Sequence, residues 1–226
     1  MSNKNKATRA VTLAVLLALS PAVVAMHYLP LVKEARAGNH YAASKIILAA
    51  LSGNAMAQFY AGLLRDYGWG VRQNYAKALD WYRKAAAHGN ANAENNIGTD
   101  YADGHGVPQN YAKAIAHFRE AAKLGSVPAE NNMGAAYYNG LGVPKSYVMA
   151  AHWYNKAAVL GNAKAAYYLG LAYYEISLRP NDWQYVSDAN IWFVAAMNKH
   201  YPGARRWHEK MVSKMQDLVA ADVAGK

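Results

Sequence analysis

Residues 129–158 read AENNMGAAYYNGLGVPKSYVMAAHWYNKAA; much of this pattern occurs 36 residues earlier, and a few of its positions recur 36 residues later. Several residue types keep this step along the chain. The recurring positions are Gly53, Gly89, Gly125 and Gly161; Ala57, Ala93, Ala129 and Ala165; and Gly62, Gly98, Gly134 and Gly170. A fixed internal period of this length is typical of stacked supersecondary units. The sequence therefore predicts a repeat protein.

Each repeat contains two amphipathic helical patterns, A and B, separated by a glycine-containing loop. In the second repeat, Ala93, Ile97 and Tyr101 lie at the i, i+4, i+8 spacing of one face of helix A. The apolar positions of helix B are Tyr111, Ala114, Ile115, Phe118, Ala121 and Ala122. Between the helices, Gly104 is suited to a left-handed cap and Pro108 cannot continue a helix. Each unit is thus predicted to be a helical hairpin.

A hairpin this short cannot bury its apolar face alone, so neighbouring hairpins must stack and share a core. We expect an all-α fold, a right-handed α/α superhelical solenoid of about four 36-residue helix-turn-helix repeats with terminal capping helices. The expected segments are a signal peptide at 1–25, an N-terminal capping hairpin at 26–53, repeats at 54–89, 90–125, 126–161 and 162–200, and a C-terminal capping helix and tail at 201–226.

Two features of the repeats need a structural reason. The glycine inside helix A costs about 1 kcal/mol of helix propensity relative to alanine, so its recurrence predicts a close approach between helices. The fourth repeat is degenerate, because it needs three extra residues after Trp183 to align Phe193 with Phe118. Degenerate terminal repeats usually act as caps.

Three stretches, AENNMG at 129–134, YYNGLGVP at 137–144 and AAHWYNKAA at 150–158, resemble the Sel-one-like repeat family, a relative of the tetratricopeptide repeats. The resemblance covers residues 54–200 and implies an α-solenoid. It also implies an adaptor role in protein complexes, often in bacterial envelopes or among secreted proteins. A cysteine-rich secreted branch of the family is associated with β-lactams and peptidoglycan, but this chain has no cysteine.

The N-terminal residues have the pattern of a signal peptide. Three basic residues precede an apolar run over 10–19 and a Ser-Pro pair, and Val23 and Ala25 supply small residues at positions −3 and −1. We expect cleavage before Met26 and a periplasmic or secreted protein without a stable membrane span. An uncleaved N-terminal anchor is the alternative, although the apolar run is shorter than the about 20 residues that span a bilayer.

Charge and composition limit the classes of partner. Removal of residues 1–25 takes away three basic and no acidic residues, so the formal charge falls from +10 to +7. This basic excess suits acidic partners or anionic envelope polymers, whereas no concentrated basic run favours nucleic acid. In an oxidising compartment a chain without cysteine forms no disulfide, so its stability depends on core packing.

The sequence contains no recognisable catalytic constellation. Neither a Gly-x-Ser-x-Gly elbow, nor a phosphate-binding Gly-x-x-x-x-Gly-Lys loop, nor a Ser-x-x-Lys motif is present. His117 and His152 have no second histidine or carboxylate at the i, i+4 spacing of a helical zinc motif. The sequence therefore predicts a non-enzymatic protein with no metal site and no cofactor.

One column of helix A lies away from the predicted core stripe and forms the candidate binding site. The column holds Tyr60, Asn96, Asn132 and Tyr168, and we expect Asn92 and Asp100 to stand beside Asn96 as further partner-binding residues. In related superhelices helix A lines the concave surface, and an asparagine amide can both donate to and accept from an extended peptide backbone. Alternatively, the paired asparagines satisfy neighbouring backbone groups or each other.

The leading interpretation is an exported scaffold that binds a protein or peptide partner on the helix A surface. The alternative is a protein that binds cell-wall peptidoglycan or hydrolyses β-lactams. Binding to insoluble peptidoglycan distinguishes the second interpretation from the first.

Overall fold

The computed structural model describes residues 21–179 and 182–224, and this part of the chain contains eleven helices and no strand. The all-α fold class is therefore confirmed. The helices are α1 Pro21–Arg36, α2 His40–Leu51, α3 Ala55–Tyr67, α4 Tyr75–Ala86, α5 Ala91–Asp103, α6 Tyr111–Lys123, α7 Val127–Asn139, α8 Tyr147–Val159, α9 Ala163–Ser177, α10 Tyr185–Met197 and α11 Ala204–Ala224.

The predicted signal peptide, residues 1–25, lies outside the described residues except for its last five positions. These positions belong to α1, which continues past the predicted cleavage point at Met26. Within residues 21–179 and 182–224, no helix is both long and apolar enough to cross a membrane.

The helices follow the period seen in the sequence. The A helices α3, α5, α7 and α9 begin at residues 55, 91, 127 and 163, and each is separated from the next by the 36-residue step. The B helices α4, α6 and α8 keep the same step, but α10 begins 38 residues after α8. The predicted realignment of Phe193 is confirmed, because its ring is buried against Gly170, the helix A glycine of that repeat.

Each A helix begins at a capping residue, and α3, α5 and α7 end at a glycine. The N-cap residues are Asn54, Asn90, Ser126 and Asn162, and each side-chain oxygen accepts a hydrogen bond from the backbone N–H three residues ahead. Such caps satisfy donors that the helix itself leaves open. Gly104 ends α5 with φ of 77°, the left-handed conformation expected for it.

Three of the helix A glycines, Gly62, Gly134 and Gly170, lie where a B-helix ring crosses the backbone. A Cβ atom added at Gly134 would come within 2.6 Å of Tyr154 Cδ1, and one added at Gly170 within 2.8 Å of Phe193 Cε1. Gly62 makes the same kind of contact with Tyr82. These contacts confirm the close helix-to-helix approach that the recurring glycine predicts.

The chain divides into two compact units. The first extends to Asp100 and includes Gly104–Pro108, and the second comprises Tyr101–Asp103 and the chain from Gln109 onward. In the first unit, α1 and α2 occupy the segment predicted as a capping hairpin, and Ile46 shares a buried cluster with Leu64 of α3.

In the second unit, the helix pairs α7 with α8 and α9 with α10 form the repeats, and α11 packs on α10. Tyr154 and Leu169 belong to its larger core cluster. Phe193 and Met211 belong to a second cluster, which joins α10 to α11.

Candidate partner-binding site

The first unit contains four of the predicted binding residues, and two of them are buried. Tyr60 is 8% exposed and its ring lies 5.9 Å from that of Tyr28, so it packs against the capping hairpin. Asp100 is 3% exposed. The expectation that these two side chains face a partner is therefore wrong, because both lie inside the unit. Asn92 is exposed and Asn96 is half-buried.

Asn96 has structural contacts within the first unit. It accepts a hydrogen bond from Asn95 Nδ2 at 3.4 Å, and it also hydrogen-bonds the hydroxyl of Tyr82. The Tyr82 hydroxyl donates to Asp66 Oδ2 at 3.1 Å. Burial, followed by the charge of Asp66, raises the pKa of Tyr82 well above its usual value. Asn96 thus takes part in a buried polar network, as the structural alternative for the paired asparagines anticipates.

The second unit brings Asn132 and Tyr168 together in a surface pocket of about 280 Å³, which we call the Tyr168 pocket. Its walls come from α7, α8 and α9. The lining residues are Asn131, Asn132, Ala135, Tyr138, Asn139, Tyr154, Lys164 and Tyr168. Two of the predicted residues therefore share one concave site with side chains from three helices.

Stacked phenol rings form one wall of the pocket. The rings of Tyr154 and Tyr168 lie 5.6 Å apart with an interplanar angle of 21°. Tyr154 is buried, and this burial, together with the nearby Tyr168, raises its pKa. The ring of Tyr167 meets Tyr168 edge-on at 5.3 Å, which helps to hold Tyr168 in place. Rigid aromatic rings of this kind offer contact area at low entropic cost.

Asparagine side chains also line the pocket, and some of their polar atoms have hydrogen-bond partners in the chain while one does not. Asn131 Nδ2 donates to the carbonyl of Val127 at 3.2 Å, and Asn139 Nδ2 donates to that of Ala135 at 2.9 Å. Asn131 Oδ1 is buried, and no donor within the described part of the chain reaches it. Because a buried acceptor without a donor is costly, this oxygen favours a small donor such as a buried water molecule.

The rim of the pocket carries a lysine, Lys164, and a tyrosine, Tyr138, that is hydrogen-bonded to a glutamate. The hydroxyl of Tyr138 donates to Glu175 Oε1 at 3.4 Å. Burial and then the charge of Glu175 raise the pKa of Tyr138, so its hydroxyl stays protonated. Lys164 is exposed on α9. The pocket thus presents a cation, phenols and amides at its surface.

Several lining residues were not among the predicted binding positions. Ala135, Tyr138, Asn139 and Lys164 join Asn132 and Tyr168. Helical spacing gives part of this set, since Asn132, Ala135 and Asn139 lie at i, i+3 and i+7 on α7. Tyr154 is a buried core residue, and it lines the pocket because the Tyr168 ring stacks against it.

The repeats match a known family. The family model described as the Sel1 repeat matches residues 55–90, 91–126 and 127–162. A Sel1 repeat protein from Oxalobacter formigenes is 29% identical, with a TM-score of 0.72 over 84% of this chain and 74% of that protein. No curated protein matches the chain.

Two other crystal structures are similar. The protein c5321, a protective antigen present in uropathogenic Escherichia coli strains that displays an SLR fold, is 34% identical with a TM-score of 0.67 over 77% of this chain. This chain spans only 38% of c5321. The immunity protein Pa5087 from Pseudomonas aeruginosa is 22% identical, with a TM-score of 0.53 over 82% of this chain and 69% of that protein, a likeness of fold alone.

Proposed function

Because this chain belongs to the Sel1 repeat family, whose repeats generally mediate protein–protein interactions, we propose that it is an exported scaffold that binds a protein or peptide segment at the Tyr168 pocket. The observation that carries the proposal is a concave site in which the Asn132 amide and the stacked rings of Tyr154 and Tyr168 line one pocket. Peptide N–H and C=O groups suit an amide, which can both donate and accept hydrogen bonds.

The shape of the site suits an extended segment more than a small charged metabolite. The stacked pair Tyr154 and Tyr168 offers an apolar surface on which a side chain can pack, while Asn132 can both donate to and accept from a peptide group. Lys164 at the rim favours an acidic or C-terminal carboxylate group on the partner. Asn92 and Asn96 lie in the first unit and do not line the Tyr168 pocket, so their part in partner binding stays a prediction.

Sel1 repeat scaffolds are typically non-catalytic, and we propose that this protein is not an enzyme and needs no cofactor for partner binding. Export is part of the same proposal. It is supported by the basic start, the apolar run over 10–19 and the small residues Val23 and Ala25. The mature protein would begin at Met26 and meet its partner in the periplasm or outside the cell.

Site-specific photo-crosslinking in the producing cell tests the binding site directly. A photoreactive residue in place of Lys164, at the rim of the pocket, is expected to trap a specific protein. The same residue in place of Asn155, which is exposed on α8 and does not line the pocket, is the matched control and is expected to trap none. Equal crosslinking from both positions contradicts the proposal.

The binding affinity of variants for the crosslinked partner then tests the role of the Asn132 amide. Asn132→Ala should remove one or two hydrogen bonds to the partner, each about 0.5 to 1.5 kcal/mol, and weaken binding by the folded protein roughly two- to a hundredfold. The cell-wall alternative predicts instead that the purified protein co-sediments with insoluble peptidoglycan when no protein partner is present.

A further inference from the structure

The first unit contains a cluster of potential metal ligands that partner binding does not explain. Asp66 of α3, Asp100 of α5 and His105 of the following loop each offer one ligand atom, and these atoms all lie within 4.8 Å of one another. Asp100 is buried, while Asp66 and His105 are half-buried. An ion would therefore have a route from solvent to a site with one buried ligand.

The next repeat has no metal-ligand side chains at the positions equivalent to Asp66, Asp100 and His105. One period later the equivalent positions hold Ala102, Ala136 and Leu141, which offer no ligand atom. Ala136 is buried in an apolar cluster, as Leu64 is one period before Asp100. Folding of the repeat therefore does not require a carboxylate at the Asp100 position.

Neighbouring side chains hold two of the three ligands in place. The hydroxyl of Tyr82 donates to Asp66 Oδ2 at 3.1 Å. The ring of Tyr75 stacks on the imidazole of His105, with centroids 4.3 Å apart and an interplanar angle of 12°. Such contacts around a metal ligand fix its orientation and contribute to affinity.

We propose that Asp66, Asp100 and His105 form a binding site for a divalent transition-metal ion such as Zn²⁺ or Mn²⁺. Two carboxylates balance the charge of the ion, and the imidazole favours a first-row transition metal over Mg²⁺ or Ca²⁺. Ligand atoms lie about 2.0 to 2.2 Å from zinc, so the three must move closer together on binding. Small adjustments of the half-buried Asp66 and His105 side chains, within the contacts that orient them, provide this movement. Water would complete the coordination.

This inference goes beyond the proposed partner binding and is independent of it. It departs from the sequence-based expectation of no metal site, which considers only ligands spaced along one helix. The three residues come from two helices and a loop, and 34 residues separate Asp66 from Asp100.

Calorimetric titration of the full-length, tag-free protein with ZnCl₂ after chelator treatment tests the site. We expect one equivalent of Zn²⁺ to bind and the melting temperature to rise, because the ion binds the folded state. His105→Ala and Asp100→Asn should each weaken binding at least tenfold. His88→Ala, which removes an exposed histidine outside the cluster, should bind Zn²⁺ as the unaltered protein does.

Three outcomes overturn the proposal: no Zn²⁺ or Mn²⁺ binding by the unaltered protein, unchanged binding by His105→Ala, or tighter binding of Ca²⁺ than of Zn²⁺. Circular dichroism of each variant keeps folding separate from binding. His105 lies in a loop and is half-buried, so its variant decides the question even if Asp100→Asn does not fold.

Discussion

Gly134 lies where the ring of Tyr154 crosses helix α7, and this contact leaves no space for a side chain. An added Cβ would lie 2.6 Å from Tyr154 Cδ1, closer than carbon atoms approach without strain. Overpacking costs about 1 to 3 kcal/mol, while alanine improves helix propensity by about 1 kcal/mol. We expect Gly134→Ala to lower the free energy of unfolding by about 1 kcal/mol, measured by urea denaturation.

A double-variant cycle separates the two terms of that prediction. In a Tyr154→Leu background the ring that meets position 134 is gone, so Gly134→Ala should become neutral or stabilising through helix propensity. The same loss of stability in both backgrounds would show that the ring contact is not the reason for the glycine.

Asp100 shows what the sequence can and cannot indicate at the scale of one residue. Its position beside Asn96 predicts a partner-facing side chain, whereas the apolar residues Leu64 and Ala136 at the equivalent positions favour the inward-facing one that the structure has. Its neighbours are not readable, because Asp66 and His105 come from another helix and a loop. Tyr60 is similar, because its burial depends on Tyr28 of the capping hairpin, which lies outside the repeat pattern.

At the scale of the element, helix α9 depends on its N-terminal cap. Asn162 Oδ1 accepts a hydrogen bond of 2.9 Å from the backbone N–H of Ala165. Replacement of such a cap by alanine costs about 1 kcal/mol, because a helix donor loses its partner. We expect Asn162→Ala to lower the free energy of unfolding by this amount in urea denaturation.

The control for the cap is Asn155→Ala, which removes an exposed asparagine from the middle of α8. It should change stability by less than about 0.5 kcal/mol. If the two variants were equally stable, the cap would contribute nothing beyond the loss of an asparagine side chain.

The helices were largely predictable from periodicity, and the binding pocket only in part. The 36-residue step fixes where α3, α5, α7 and α9 begin. The start of helix α10 is harder to predict, because this helix has no side-chain N-cap. Its register follows from the contact of Phe193 with Gly170. The pocket combines α7, α8 and α9, so Asn132 and Tyr168 could be proposed from their column whereas Lys164 could not.

At the scale of the whole molecule, a repeat protein must close the apolar surfaces at its two ends. In the first unit, α1 and α2 cover α3 through a cluster that includes Tyr28 and Ile46. In the second unit, α11 covers α10, and Met211 lies buried beside Val186 and Phe193. The last repeat departs most from the pattern, consistent with its position beside this closing helix.

The contribution of the closing helix can be measured at Met211, which is fully buried, by comparison with Val219, which is 65% exposed on the same helix. Met211→Ala removes atoms that pack on Phe193, and truncation of a buried methionine costs about 2 to 5 kcal/mol. Val219→Ala leaves the buried cluster unchanged and should cost less than about 0.5 kcal/mol. We expect urea denaturation to show this difference and the Met211 variant to bind more of a hydrophobic dye before the main transition, because the second cluster opens first. If both variants unfolded at the same urea concentration, α11 would not stabilise the end of the second unit.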